Sequence, residues 1–279
     1  EQNRARFQHG RPLGRRTHIV RQTASLTPEA RSGGRDSHDA LVGDLARWAD
    51  EPGGAVLDGR EITRFDGTRL HEVTPVFTSQ PAKRAGQHFG SRIAFDGQGH
   101  VFISQGERNE RAMAQDLEVL QGKLVRLNID GAQPADNPYA SGVGVRKAIW
   151  SYGHRNLQGA TLDGAGQLWT VEHGAKGGDE LNHPEAGKNY GWPLVTFGRE
   201  YYGPKIGVTE MAGIEMPLKH WTPSIAPSGM AFYQGDAFSQ WRGDLFVGAL
   251  GRQDGGHEEL QCVCVMQLAV GPGIGATER

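Results

Sequence analysis

Short runs of apolar and β-branched residues, each bounded by polar residues, predict β-strands through the middle of the chain. Two such runs occupy residues 91–95 and 100–104, and Asp96–Gly99 between them has the composition of a hairpin turn. His88 precedes the first run and Glu107 follows the second. Because neighbouring antiparallel strands end close together, we predict that this carboxylate holds the imidazole as a general base.

The same unit returns further along the chain. Residues 159–174 repeat the strand, Asp-Gly-x-Gly turn, strand and polar end of residues 92–107, and a looser copy lies in residues 228–250. Residues 57–70 and 72–77 predict two further short strands. Repetition of one β-unit predicts a β-propeller built from four-stranded blades.

Composition supports an all-β fold and excludes several classes of function. The chain has 279 residues, 41 of them glycine, with 37% hydrophobic residues and a formal charge of -2. Abundant glycine favours a turn-rich β protein, and the near-neutral charge gives no reason to expect nucleic acid. The sequence lacks an apolar run of about 18 residues, so we expect no membrane span. Cys262 and Cys264 are too close to predict a disulfide or a zinc site.

The two ends of the chain differ in texture from its middle. Residues 1–45 are rich in arginine and lack an apolar period, and residues 251–279 lose the strand pattern. The first segment is interpreted either as a basic arm for an acidic partner or as a weakly ordered terminus, and we expect the latter. We therefore predict a folded domain over residues 46–250 between two atypical segments.

Six motifs follow one another in the order found in the soluble PQQ-dependent aldose sugar dehydrogenases, which this chain resembles over about residues 50–250. The motifs occupy residues 87–92, 104–109, 120–126, 150–159, 172–182 and 187–193. These enzymes are six-bladed β-propellers related to soluble quinoprotein glucose dehydrogenase. The resemblance implies that fold, with PQQ and Ca²⁺ as cofactors and an aldose sugar as substrate.

The resemblance also implies roles for individual residues. His88 corresponds to the base that takes the anomeric proton while hydride leaves C1 for PQQ, which oxidises the sugar to a lactone. Glu107 corresponds to the residue that orients this base, and Arg155 to the arginine near the quinone and the substrate. A neutral imidazole within hydrogen-bond reach suits this chemistry near pH 7.

Cofactor contacts are implied in the same way. Arg155 and Asn156 correspond to PQQ contacts, and Trp221 to an aromatic residue that stacks over the cofactor. The backbone carbonyls of Gly174 and Ala175 correspond to Ca²⁺ ligands, although the family often has proline at the second position. PQQ carries three carboxylates and a flat ring system, which arginine and tryptophan side chains suit.

Two departures from the family pattern define the alternatives. An upstream blade signature is missing, and the basic cofactor ligands expected after Leu250 do not align, so we expect an incomplete ring. One alternative is an inactive propeller remnant that acts as a carbohydrate-binding or structural module. Another is a Ca²⁺-dependent propeller lactonase, which would need a cluster of Asp, Glu and Asn ligands on the central axis.

The resemblance further implies partners and location. We expect an artificial or protein electron acceptor, no nucleic acid, and a monomer or homodimer. A periplasmic or secreted location is expected, although the sequence contains no signal peptide.

Overall fold

Antiparallel β-strands make up almost all regular structure in the part of the chain that the structure describes. The structure is a computed structural model, and it describes residues 19–20, 46–50, 56–65, 70–82, 86–250, 264–271 and 274–278. Within these ranges, helical structure is confined to three short 3₁₀ turns, Arg111–Ala114, Gly144–Ala148 and Ser239–Trp241. None of the helices in these ranges has the length and apolar character needed to cross a bilayer.

The described strands form four sheets, each with four strands that pair in chain order. The first sheet contains β1 (Ile19–Val20), β2 (Ala46–Asp50), β3 (Val56–Phe65) and β4 (Leu70–Thr78). The second contains β5 (Gly90–Phe95), β6 (His100–Gln105), β7 (Lys123–Asn128) and β8 (Ile149–Tyr152). The third contains β9 (Leu157–Leu162), β10 (Leu168–Glu172), β11 (Asp179–Asn182) and β12 (Lys219–Trp221). The fourth contains β13 (Pro227–Phe232), β14 (Leu245–Ala249), β15 (Cys264–Gly271) and β16 (Ile274–Glu278).

Neighbouring sheets pack through the first strand of each, because β5 contacts β9 and β9 contacts β13. Four-stranded meanders arranged in this manner are the blades of a β-propeller. The predicted fold class is confirmed, and the three predicted hairpins form the first two strands of the second, third and fourth sheets. The count of six blades remains a prediction. The atypical ends fall largely outside the described residues, so the domain boundaries at 45 and 250 also remain predictions.

The repeated Asp-Gly-x-Gly turns are built alike in the second and third sheets. Asp96 Oδ1 accepts hydrogen bonds from the amides of Gln98 and His100, at 2.7 and 2.9 Å. Asp163 Oδ1 accepts the equivalent bonds from Ala165 and Gln167, at 2.8 and 2.9 Å. Aspartate favours such turns because its carboxylate satisfies the amides that the sheet leaves unpaired. The sequence repeat is therefore a structural repeat.

Apolar side chains fill the spaces between adjacent sheets. One buried cluster joins the second and third sheets, and it consists of Ala94, Phe102, Leu124, Ala160 and Leu168. Another joins the third and fourth sheets, and it consists of Trp169, Val171, Leu181, Trp221, Ile225, Leu245, Val247, Ala249 and Leu268. Burial of these side chains holds each sheet at a defined angle to the next and so aligns the strand ends.

Lys123, the first residue of β7, has a fully buried side chain, which is unusual for lysine. Its side chain is 0% exposed, and Nζ donates to the carbonyls of Met113 and Gln121 at 2.6 and 2.7 Å. Burial lowers the pKa of Lys123 to about 7, because the charged ammonium loses its hydration. The unfolded chain, in which lysine titrates near pH 10, binds more protons than the folded chain between about pH 7 and 10.

We expect this lysine to make the protein more stable as pH rises from 7 to about 10, by an amount of the order of a few kcal/mol. The Lys123→Met variant lacks this titration but keeps every other titrating group. Its destabilisation relative to the original protein should therefore be larger at pH 9.5 than at pH 7. Denaturant unfolding of both proteins at both pH values measures this double difference, and equal values at the two pH values would contradict the prediction.

Candidate active site

His88 and Glu107 meet where β5 begins and β6 ends. His88 Nδ1 lies 2.6 Å from Glu107 Oε1, and the two side chains are 12% and 0% exposed. The hydrogen bond predicted across the hairpin is thus confirmed. A carboxylate only accepts hydrogen bonds, so the proton of this contact lies on Nδ1 and Nε2 is left to take a proton from another molecule.

The backbone around this pair is tightly constrained. His88 has a φ of 56°, in the left-handed region, and its carbonyl accepts a hydrogen bond from the Arg108 amide at 3.3 Å. Gly106 passes so close that a Cβ at this position would lie 1.9 Å from the His88 carbonyl oxygen. Only glycine allows this approach, and the approach sets the position of the imidazole.

Arg155 reaches the same site from the loop between β8 and β9. Its carbonyl accepts a hydrogen bond from the Glu107 amide at 3.0 Å, which joins the arginine to the His88 pair. The guanidinium is buried, and Nη1 donates to the carbonyls of His173 and Gly174 at 3.1 and 2.7 Å. Burial lowers the pKa of Arg155, an effect that the nearby Tyr201 and Glu107 side chains oppose.

Asn156 ties this loop to the strand that follows His88. Its Oδ1 accepts hydrogen bonds from the Gly90 amide at 3.1 Å and from Gln158 Nε2 at 2.9 Å. Its carbonyl accepts a further bond from the His173 amide at 3.1 Å. Asn156 therefore holds three segments together, and its contact with a cofactor remains a prediction.

Gly174 and Ala175 follow β10, and their carbonyls already accept hydrogen bonds. The Gly174 carbonyl accepts from the Arg155 guanidinium, and the Ala175 carbonyl accepts from the Arg199 amide at 2.7 Å. Calcium takes six to eight oxygen ligands, and a cation beside Arg155 would be repelled by it. In the described ranges, acidic, His and Cys side chains form no group of three that could hold a metal. Ligation of Ca²⁺ by the Gly174 and Ala175 carbonyls remains a prediction.

Trp221, the predicted stacking residue, lies in the core between the third and fourth sheets. It is 3% exposed and belongs to the same buried cluster as Trp169 and Val171. Its carbonyl accepts a hydrogen bond from the Gly178 amide at 2.8 Å, which connects it to the loop after β10. A stacking role for Trp221 stays a prediction.

The aromatic residue that the structure places against Arg155 is Trp192. The Arg155 and Arg111 guanidinium carbons lie 5.2 and 5.4 Å from its ring centroid, and Arg111 is held by Glu200 at 2.5 and 2.8 Å. Two guanidinium groups thus lie beside one indole, which is itself only 4% exposed. The sequence analysis did not assign this role to Trp192, although the residue belongs to the motif at 187–193.

A small cavity beside Arg155 contains two acidic residues from adjacent strands. Glu172 and Glu180 pair across β10 and β11, and both line this cavity together with Arg155 and Trp192. Burial, and then the neighbouring Glu172 charge, raise the pKa of Glu180 well above its ordinary value. Both glutamates lie in the motif at 172–182, but their burial was not predicted, because a strand ending in polar residues does not reveal which partners they meet.

Comparison with known proteins gives consistent matches over the described core. A family model described as Glucose / Sorbosone dehydrogenase matches residues 48–262. Aldose sugar dehydrogenase YliI of Escherichia coli (strain K12) is 49% identical over 193 residues, which cover 68% of this chain and 52% of that protein. The crystal structure of the soluble aldose sugar dehydrogenase from Escherichia coli in the apo-form has a TM-score of 0.75 and 43% identity, covering 84% of this chain and 66% of that one.

A more distant solved structure shares the fold. The PQQ-bound form of aldose sugar dehydrogenase from Streptomyces coelicolor has a TM-score of 0.60 and 24% identity, covering 82% of this chain and 63% of that one. The chain spans about half the length of the curated relatives it matches, with 52% and 48% of two such proteins covered.

Proposed function

Because the chain belongs to the glucose/sorbosone dehydrogenase family, we propose that it oxidises the anomeric carbon of aldose sugars to lactones, with PQQ as hydride acceptor. The resemblance inferred from the six sequence motifs is confirmed at the level of this family. The single observation that carries the proposed activity is the 2.6 Å contact between His88 Nδ1 and the buried Glu107 carboxylate.

His88 has the arrangement required of a general base. Nε2 takes the proton of the anomeric hydroxyl, the C1–H bond breaks as hydride leaves, and the C1–O bond becomes the lactone carbonyl. Glu107 is fully buried, so its charge stabilises the imidazolium that forms and keeps the ring in one orientation. The proton thus ends on His88 and two electrons leave with the hydride.

The residues around Arg155 fit an anionic, planar cofactor. Arg155 Nε is buried and has no hydrogen-bond partner among the described residues, so one donor of this cation is available to a ligand. Arg155 and Arg111 place two guanidinium groups beside the buried Trp192 indole, which helps to line the cavity next to Arg155. When bound, PQQ would supply the quinone carbonyl that accepts hydride. Arg155 and Asn156 are the residues that we propose to hold it.

No catalytic step is assigned to calcium. The Gly174 and Ala175 carbonyls would supply at most two of its ligands, and both carbonyls accept protein hydrogen bonds. Calcium ligation at these residues and stacking by Trp221 are retained as proposals from the family resemblance.

The other two interpretations lack a comparable observation. A lactonase would need a cluster of Asp, Glu and Asn ligands on the central axis, and in the described ranges His, Cys, Asp and Glu side chains form no group of three that could hold a metal. An inactive remnant would not require a buried carboxylate at 2.6 Å from a histidine on the edge of the site. We propose an aldose sugar as substrate, an artificial or protein electron acceptor, and a periplasmic or secreted location.

Replacing His88 with alanine should abolish sugar oxidation. The protein is titrated with PQQ and Ca²⁺, glucose is added, and reduction of an electron-accepting dye is measured. We expect His88→Ala to lower kcat by at least about 100-fold, since general-base catalysis contributes factors of roughly 10² to 10⁴.

The matched control for this variant is His100→Ala. His100 Nδ1 also lies 2.6 Å from a carboxylate, that of Asp96, but it sits at the hairpin turn away from the site. The control should keep its kcat. Dye reduction that persists at full rate in His88→Ala would contradict the proposed function.

A further inference from the structure

Ser151, His154 and Glu172 form a chain of hydrogen bonds directly behind Arg155. Ser151 Oγ lies 2.9 Å from His154 Nε2, and His154 Nδ1 lies 2.9 Å from Glu172 Oε1. The other carboxylate oxygen, Oε2, accepts the backbone amide of Arg155 at 2.6 Å. The two oxygens of the Glu172 carboxylate therefore accept hydrogen bonds from two consecutive residues, His154 and Arg155.

The direction of these bonds follows from the groups involved. The Glu172 carboxylate only accepts, so His154 Nδ1 carries the donated proton. In the neutral ring Nε2 then accepts the Ser151 hydroxyl proton. Stacking on Tyr190, with ring centroids 5.0 Å apart and planes 16° apart, further fixes the orientation of the imidazole.

This triad has the connectivity of a hydrolase site, but its burial excludes that chemistry. Ser151 and His154 are 0% exposed and Glu172 is 4% exposed. An acyl substrate cannot reach Ser151 Oγ, which would have to attack it. The triad therefore acts on the protein itself, through the one backbone amide that it binds.

The Arg155 amide lies in the backbone segment 154–155, which contacts both Glu107 and Gly122. The Arg155 carbonyl accepts the Glu107 amide at 3.0 Å, and Glu107 in turn holds His88 at 2.6 Å. The His154 amide donates to the Gly122 carbonyl at 3.1 Å. The position of Glu172 therefore reaches His88 through three hydrogen bonds, by way of the Arg155 backbone and residue Glu107.

We propose that the buried triad Ser151, His154 and Glu172 positions the Arg155 peptide, and through it the Glu107–His88 pair. These three are positioning residues, since Ser151 and His154 are fully buried and Glu172 is 4% exposed. A deviation of about 1 Å in the base is enough to slow a proton transfer strongly, so a rigid backbone anchor has a direct effect on rate. The effect on rate rests on the proposed function, whereas the effect on geometry does not.

Two measurements on Glu172→Gln test the proposal. Glutamine keeps the size of the side chain, but only one of its two positions can accept, so either His154 or Arg155 loses its acceptor. We expect kcat for glucose with PQQ-loaded protein to fall about 10- to 100-fold, with a smaller change in KM. We also expect the low-field NMR signal of the His88 Nδ1 proton, identified by its loss in His88→Ala, to move.

Asp163→Asn is the matched control. Asp163 lies at the turn before β10 while Glu172 lies at its far end, and its carboxylate also accepts backbone amides. This variant should leave both kcat and the His88 signal unchanged. A purely structural role of Glu172 would lower stability as the control does, without moving the His88 signal.

The outcomes separate the two proposals. If the original protein does not oxidise sugar but the His88 signal moves in Glu172→Gln, the proposed function fails and the positioning role stands. If the protein is active and Glu172→Gln keeps either its kcat or its His88 signal, the positioning role is overturned. If Glu172→Gln does not fold, Ser151→Ala is measured instead. We expect the His88 signal to shift in this variant and kcat to fall about 3- to 10-fold. An unchanged His88 signal in Ser151→Ala would overturn the positioning role of the triad.

Discussion

Replacing Glu107 with glutamine should lower kcat by about 10² to 10⁴ while leaving KM within a few-fold. The carboxylate is fully buried and lies 2.6 Å from His88 Nδ1, so it fixes the tautomer and stabilises the imidazolium formed during proton abstraction. An amide can present its NH₂ group to Nδ1, which would place the proton on Nε2 and remove the base. Steady-state dye reduction over a range of glucose concentrations separates kcat from KM.

The matched substitution is Asp96→Asn. Asp96 holds His100 by the same 2.6 Å contact, in the turn between β5 and β6. This variant should lose some stability, because Asp96 also caps two amides, yet its kcat should not change. If both variants lost activity equally, the loss would reflect general destabilisation and the role of Glu107 as orienting residue would be wrong.

Among glycine-to-alanine substitutions at described residues near the site, Gly106→Ala should be the most damaging. The added Cβ would lie 1.9 Å from the His88 carbonyl oxygen and 2.4 Å from its carbonyl carbon. Both atoms are backbone, so β5 and β6 must separate. We expect a loss in unfolding free energy of about 3 to 5 kcal/mol and, in the molecules that fold, a kcat at least about 100-fold lower.

Gly164→Ala supplies the comparison for this substitution. Gly164 lies in the hairpin turn between β9 and β10 of the third sheet, and the nearest atom to an added Cβ is Gln234 Nε2 at 3.9 Å. Its stability should stay within about 1 kcal/mol, because the methyl group enters open space. Thermal or denaturant unfolding of both variants checks the difference, and a Gly106→Ala protein as stable as Gly164→Ala would show that the strands are not held at this distance.

The local parts of the site could be predicted because they depend on short-range pattern. The hairpin around Asp96–Gly99 follows from strand alternation and turn chemistry, and the approach of His88 to Glu107 follows from the hairpin. The role of Trp192 could not be predicted in the same way. Its motif was identified, but tryptophan in a β-rich sequence is equally suited to the core, and both Trp192 and Trp221 are buried in apolar clusters.

The sequence by itself determined the hairpins of three sheets, the repeated unit, the family and the pairing of His88 with Glu107. All of these depend on residues that are close along the chain or on motifs that occur in a fixed order. Only the tertiary structure decided that the Arg155 carbonyl meets the Glu107 amide behind that pair. This contact joins the loop before β9 to the residues after β6, and the packing of apolar faces between the second and third sheets sets the distance. Hydrophobic pattern predicts that such faces are buried, but it does not specify which polar strand ends the packing brings together.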